Sequence, residues 1–300
     1  MNGLLKDYRK HKYLYYMIFP VVLYYFVFHY VPMYGALIAF KDFRIAEGFI
    51  NSPWVGFKHF ISFFDSYYFW RLLKNTLILN LYMLVFSFPA PIIFALLINE
   101  IVGSRFKRVV QTVTYLPHFI SLIVVCGMIT QFLARDGIMT DLLVWLGMDR
   151  QVLLAHPQYF RAIYVISDIW QGVGWGSIIY LAAIMGINPE LYEASRMDGA
   201  NRWRQIFHIT LPGITPIIVI LFILKIGNML DVGFEKIILL YNPNTYVTAD
   251  VISTFVYRKG LQSFEFSYAT AIGVFQAVIN FILLIAANRF SKQISENSLW

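Results

Sequence analysis

Charge is what this sequence has least of. Asp, Glu, Lys and Arg make up 14% of the chain against 59% hydrophobic residues, about half of the roughly 25% charged fraction of an ordinary globular domain. A normal water-facing surface is excluded. Lipid is the solvent implied, because the apolar residues come in long blocks separated by polar patches. Cysteine is nearly absent: Cys126 alone rules out an internal disulfide and a Cys-rich metal site. No Lys/Arg run interleaves with aromatics, so the net charge of +7 fits a basic membrane protein beside anionic lipid and not a nucleic-acid binder. HExxH, GxSxG and the Walker pattern GxxxxGKS/T are missing, which counts against a membrane-embedded enzyme and means that the chain cannot energise itself with ATP. No internal repeat is visible, which counts against a secondary carrier or channel that holds both halves of its pathway in one chain. His118 and His156 stand apart from other ligand types, so no metal site is expected.

What is present is a series of apolar runs. MNGLLKDYRKHK opens the chain, and residues 1–12 read as a short segment ahead of a single transmembrane domain, 13–300. The run that follows, to about Phe40, far exceeds a signal-peptide core of roughly 7–15 residues and shows no small-residue cleavage site, so it is expected to stay as the first span, bent or ended by Pro20 and Pro32. Residues Lys41 to Lys74 are mixed and aromatic, a loop with short interfacial pieces. Five further runs follow at about Thr76–Ile98, Val113–Ala134, Ile163–Gly186, Ile214–Gly233 and Tyr268–Asn288, each near the roughly 20 residues a spanning helix needs. The expected fold class is therefore an all-α integral membrane protein of six transmembrane helices with both termini on one side. Lys/Arg totals on the two sides are nearly equal. Loop density and the cluster Lys6, Arg9, Lys10 and Lys12 place the termini, and the loop between the fourth and fifth spans, in the cytoplasm.

That loop, 187–212, is charged and punctuated by Gly and Pro. Asn188 can cap a helix whose first residue is Pro189, with Glu190 and Glu193 at its positive end. Leu191, Ala194 and Met197 form a narrow apolar stripe, and Gly199 can end the helix and turn the chain. A second amphipathic piece starts at Asn201, carries Trp203, Ile206, Phe207 and Thr210 on one face, and is limited by Pro212. Two such helices fit either a docking surface for a partner or a passive linker at the lipid interface.

The spacing of Glu193-Ala194-Ser195, Gly199, Ile209, Leu211 and Pro212 resembles the EAA signature of the permease subunits of ATP-binding-cassette importers, with Ser195 where a second alanine is usual; Asp198-Gly199-Ala200 is similar to the version found in the sugar-importing branch. Asn75-Thr76, YLPHFIS at Tyr115–Ser121 and FSYATAIGVFQAVINF at Phe266–Phe281 resemble the branch that imports complex sugars and oligosaccharides, and the likeness covers about residues 70–290. The resemblance implies half of a translocation pathway in the bacterial cytoplasmic membrane. The other half would be a second permease, and an extracytoplasmic binding protein would deliver an oligosaccharide. A separate ATPase dimer would hold ATP and Mg, leaving this subunit without a cofactor or catalysis of its own. It also implies a coupling helix near Pro189–Asp198 that docks into the ATPase, with Glu193 as its polar contact.

Ionisable and amide groups inside spans are costly and are functional candidates by default. Asp168, Gln171 and Trp175 share one face of the fourth run. Lys225, Asn228 and Asp231 follow at intervals of three on the fifth. Sugar sites combine carboxylates and amides with aromatic rings, so Asp168, Gln171, Trp175, Asn228 and Asp231 are candidates for the pathway; polar contacts between helices or with the second permease fit the same residues. Gly172, Gly174 and Gly176 read as close helix packing rather than a nucleotide loop, having no preceding strand. Pro89 and Pro91 suggest a kinked span.

Overall fold

The computed structural model describes residues 2–294. Among them the chain is helical, with one isolated antiparallel bridge between Lys41 and Trp54. The principal helical runs are α1 (Lys10–Phe40), α2 (Tyr68–Asn99), α3 (Ser104–Phe119), α4 (Leu122–Phe132), α5 (Pro157–Met185), α6 (Pro189–Met197), α7 (Arg202–Gly227) and α8 (Phe266–Ile294). Four of these, α1, α2, α7 and α8, are long and apolar enough to cross a bilayer. The number rises to six if α3 with α4, bent by 100°, and α5 with α6, bent by 71°, each make one span.

Three of the runs pass through proline without ending. The five-residue wide turns Phe26–Tyr30, Met83–Ser87 and Ile206–Thr210 each finish two residues before a proline, Pro32, Pro89 and Pro212. In each, the amide of the residue before proline donates five residues back, Val31 to Phe26, Phe88 to Met83 and Leu211 to Ile206. Proline clashes with the carbonyl four residues earlier and cannot donate to it; a π-turn removes that conflict. Pro32 therefore does not end the first run, Pro20 lies inside it, and Pro212 does not limit the second loop piece, which continues into a 26-residue helix.

Two other expectations are corrected. The run Val113–Ala134 is not one helix: Pro117 sits in a 3-10 turn, Leu116–Phe119, and Ile120 and Ser121 are extended (ψ 134° and 138°) before α4 begins. The fifth run stops at Gly227 instead of Gly233, because Asn228 leaves the helical region (φ −111°, ψ 26°). The freed backbone is caught by α8, where Asn280 Oδ1 accepts from the Leu230 amide and Gln276 Nε2 donates to the Leu230 carbonyl, both at 2.9 Å.

The contacts divide the chain into two compact units. The first comprises residues 1–66 and 256–275. Its buried members include Ala39, Phe63, Ala269, Ala271 and Ile272, and Phe63 packs edge-on to Phe275 at 5.8 Å. Lys41 is buried there. Its ammonium donates to the Phe49 and Ile50 carbonyls at 2.8 and 3.2 Å and lies over the rings of Phe49 and Trp54. The span window in α1 has no buried residue.

The second unit, 67–255 with 276–300, is built around α5. One end of α5 places Phe160, Tyr164 and Val165 in a core with Leu79, Met83, Val125, Cys126 and Ile129; the other places Tyr180, Leu181 and Ile184 against Ile92, Ala95, Ile98 and Ile214. Gly174 lets α5 press on α3, since a β-carbon there would collide with the Thr114 carbonyl and the Tyr115 ring, and Gly176 faces Pro91 closely; Gly172 has open space around it. A buried polar network fixes residues 247–254 to α2. Asn75 Nδ2 donates to the carbonyls of Val247 and Asp250 at 2.9 and 3.0 Å, Arg161 donates to Asn75 Oδ1 at 2.9 Å, and the Ile252 amide donates to Thr76 Oγ1 at 3.1 Å. The Asp250 carboxylate, fully buried, accepts from Thr254 at 2.8 Å and faces Arg71 at 3.5 Å.

Removing that carboxylate leaves Arg71 facing an empty site. Asp250→Ala is expected to destabilise the purified protein by about 3 kcal/mol, the lower end of the range for a broken buried pair, because the Arg71 side chain keeps 26% exposure. Thermal unfolding in detergent checks this: the transition should fall by several degrees, and fall less for Asp250→Asn, which keeps an acceptor for Thr254.

Candidate functional site

The loop 187–212 folds as its local chemistry requires. Asn188 Oδ1 accepts from the Glu190 amide at 3.0 Å and Pro189 takes the first helical position. At the other end of α6 the Gly199 amide donates to the Arg196 carbonyl (3.0 Å) and the Ala200 amide to the Ser195 carbonyl (2.9 Å), the two bonds of a Schellman cap. That cap needs a left-handed residue at its turn, and Gly199 has φ +75°. Asn201 then caps α7, accepting from the Arg204 amide at 2.9 Å.

Side chains tie the two helices together. The Tyr192 hydroxyl lies 2.9 Å from Thr210 Oγ1, itself buried, and Gln205 Nε2 donates to Ser195 Oγ at 3.0 Å, while Ser195 Oγ donates to the Tyr192 carbonyl at 2.9 Å. Each such bond contributes on the order of 0.5–1.5 kcal/mol, so α6 is held to α7 at points on both sides of the glycine. The outer face of α6 is left bare. Leu191 and Met197 are exposed, as are Glu193, Ala194 and Asp198. Beside α6 opens a cleft of about 830 Å³, lined among others by Glu100, Val102, Tyr192, Glu193, Arg196 and Arg202. Arg202 reaches Glu100 across its floor at 3.4 Å, contacting both the carboxylate and the backbone carbonyl. Ile209 is half-buried in a smaller recess with Ser195, Arg204, Gln205 and His208; Leu211 packs on the core around Ile214, and Pro212 is exposed.

The intramembrane candidates separate into two levels along α5. Trp175 lies about 15 Å of helical rise from the end of α5 next to the loop, and Asp168 about 25 Å. Trp175 is exposed and stacks on His118 with ring centroids 4.6 Å apart and planes within 3°, while Phe119 meets Trp175 edge-on at 5.4 Å. His118 and Phe119 come from the break between α3 and α4. Nothing in the sequence pairs them with Trp175 except the proline that makes the break. Asp168 and Gln171 are half-buried on the same face of α5. Asp168 and Asp231 are both within electrostatic reach of Tyr164, and Asp168 also reaches Lys236. Lys236 is buried against Tyr164, its ammonium 3.5 Å from the Tyr164 carbonyl and over the ring. Burial pushes this lysine below its ordinary range, and Asp168 opposes that shift. Asn228 and Asp231 are exposed but do not share a helix face, since the helix has ended between Lys225 and Asp231. Among the described residues no group of three or more His, Cys, Asp or Glu could hold a metal.

The chain is similar over most of its length to known proteins. A family profile described as binding-protein-dependent transport system inner membrane component matches residues 87–296. The polygalacturonan/rhamnogalacturonan transport system permease protein YteP of Bacillus subtilis (strain 168) is 46% identical over 96% of this chain and 90% of its own length. Protein LplB of the same organism is 42% identical over 97% of this chain and 92% of its own length. A crystal structure of a bacterial ABC transporter involved in the import of the acidic polysaccharide alginate contains a chain that superposes with a TM-score of 0.91 at 46% identity, over 98% of this chain and 99% of that one. A second structure, of a bacterial alginate ABC transporter in complex with an alginate pentasaccharide-bound periplasmic protein, matches with the same TM-score at 45% identity, over 99% of each chain.

The cap at Gly199 yields a local test. Gly199→Val forces a β-branched residue to φ +75°, at a cost of roughly 1–2 kcal/mol. Backbone amide exchange across 195–200 is expected to speed by about 5- to 30-fold, with exchange in α5 unchanged.

Proposed function

We propose a substrate class and a working geometry for this chain, which belongs to the family of binding-protein-dependent transport system inner membrane components and is a permease subunit of an ATP-binding-cassette sugar importer. It is a multi-pass inner-membrane protein without catalysis of its own, and ATP and Mg belong to a separate ATPase subunit. Its partners are a second permease, that ATPase and an extracytoplasmic sugar-binding protein. The working geometry puts both termini and the loop 187–212 in the cytoplasm, where α6 docks into a cleft of the ATPase dimer. The observation that carries this is the bare face of a braced helix: Leu191, Ala194 and Met197 offer an apolar stripe, Glu193 lies beside an open cleft of about 830 Å³, and hydrogen bonds on both sides of Gly199 join α6 to α7. A passive interfacial linker would need neither the bracing nor the cleft. Closure of the ATPase dimer pushes α6, and the push tilts α7 and α5 between inward-open and outward-open arrangements. Asp198, Gly199, Ile209, Leu211 and Pro212 shape this lever, and Ser195 braces it.

The substrate is an acidic oligosaccharide. Two relatives at 46% identity support this: one is named for polygalacturonan and rhamnogalacturonan, the other is described as importing alginate. The His118–Trp175 stack with Phe119 supplies a flat apolar shelf for sugar rings at mid-depth. Gln171, Asn228, Asp168 and Asp231 supply hydrogen-bonding groups along the same pathway.

The test is to purify the chain with its native partners and measure ATP hydrolysis with binding protein loaded with uronate-containing or neutral oligosaccharides. The acidic set should stimulate hydrolysis, and stimulation by the neutral set alone refutes the substrate class. For the lever, Ala194→Glu puts an unpaired charge on the docking stripe and is expected to lower stimulated hydrolysis and uptake at least about tenfold, as for a desolvated charge at an interface. Unchanged hydrolysis and uptake in an assembled complex would sink the docking role.

A further inference from the structure

Cations on or against the spans of the second unit are mostly answered by the protein itself. Arg161 donates to Asn75, Arg71 faces Asp250, and Lys236 has the Tyr164 carbonyl and the field of Asp168. Lys225 is different. It stands in the apolar run of α7, half-buried beside a crevice too narrow to admit a water molecule, lined by Asn80, Leu84, Ile226 and Met229. Among the described residues no carboxylate lies within ion-pair distance of its ammonium and no acceptor takes a hydrogen bond from it. A lone ammonium inside a span costs about 2.5–3.5 kcal/mol on insertion, which makes an unanswered one a functional candidate.

Its surroundings indicate what answers it. Asn80, buried on α2 and lining the same crevice, donates to the Thr76 carbonyl, and Asn228, exposed three residues further along, donates to the Leu224 carbonyl, both at 3.0 Å. With those amides bonded to carbonyls one turn back, the ammonium is left as the donor without an acceptor, and a carboxylate is the acceptor that gives it a charge-assisted bond. Lys225 also lies about 30 Å of helical rise beyond Gln205, so with the loop in the cytoplasm it stands at the outer end of the pathway, where the binding protein releases its cargo. Resting on the acidic-oligosaccharide reading, we propose that Lys225 is the specificity-determining residue of this subunit, binding the carboxylate of a uronate unit at the outer mouth and selecting acidic over neutral oligosaccharides.

The test uses the whole importer reconstituted in liposomes, this chain with its second permease, ATPase and binding protein. The probes are trigalacturonate and its carboxyl-reduced, neutral counterpart. Uptake of each is measured for the wild type, Lys225→Gln and Lys225→Arg with the same binding protein, so that the binding protein's own preference cancels. The ratio of acidic to neutral uptake is expected to fall about tenfold or more in Lys225→Gln, the loss of one charge-assisted bond, and to stay within about twofold of the wild type in Lys225→Arg. An unmoved ratio overturns the proposal. Both sugars falling together is the pattern of a lysine paired with a carboxylate of the second permease, and neither falling is that of a lysine reaching lipid headgroups. Wild-type uptake of the acidic sugar with an unmoved ratio in the Gln variant refutes the role of Lys225 alone. Wild-type uptake of only the neutral sugar refutes the substrate class, and Lys225 with it.

Discussion

The constraint on which this structure depends is that a backbone amide or carbonyl in lipid has no water to bond, so every interruption of a helix needs a protein partner. The chain interrupts its helices often, and each time a side chain or a rearranged turn supplies the bond. Asn280 and Gln276, one turn apart on α8, take both backbone groups of Leu230 where α7 has ended. Thr76 takes the Ile252 amide and Asn75 the carbonyls of Val247 and Asp250. At Pro32, Pro89 and Pro212 the repair is internal, a π-turn that moves the preceding bond one residue back. These repairs allow breaks to sit beside spans, and the break between α3 and α4 brings His118 and Phe119 to Trp175, while a short helix after the end of α7, Phe234–Leu240, places Lys236 against Tyr164.

What the sequence made legible follows from the range of the forces involved. The cap at Asn188, the start at Pro189 and the turn at Gly199 depend on atoms within a few residues, so residue type alone locates them, and the Schellman bonds at Gly199 are their direct expression. The end of the fifth run depends on distant partners. Residues 226–233 are as apolar as a helix end, and the break at Asn228 is held by side chains some fifty positions later on α8. Pro212 misleads for a different reason: the rule that proline stops a helix assumes α geometry, and a π-turn removes the clash behind the rule. The apolar content of 113–134 hides a 100° bend that Pro117 alone announces.

The candidate site divides along the same line. The loop motif is largely a local object, and its cap at Asn188 and turn at Gly199 form where residue type puts them. The pathway is an object of tertiary structure. Asp168, Gln171 and Trp175 share a face because one unbroken helix carries them, whereas Asn228 and Asp231 do not, because theirs ends first. His118 looked isolated along the chain. It is a stacking partner in space, and only the fold of the break at Ile120 and Ser121 makes it one.

Ser195 links the two halves of the site. Alanine at that position would pack as well but could not accept the Gln205 amide, and without that bond the hinge at Gly199 would be braced on this chain mainly by Tyr192 and Thr210. A hinge absorbs a push by bending, while a braced corner passes it on. The corner here continues directly into α7, an uninterrupted helical path from Arg202 to Gly227. α7 therefore runs from the corner that braces α6, the proposed ATPase-docking helix, to Lys225 near its other end. A small tilt at the braced corner displaces the far end most, since displacement grows with distance from the pivot. On the proposed docking, the Lys225 ammonium, about 30 Å of helical rise from Gln205, is at the end that would move furthest, so the proposed hold on a carboxylate would change with the tilt.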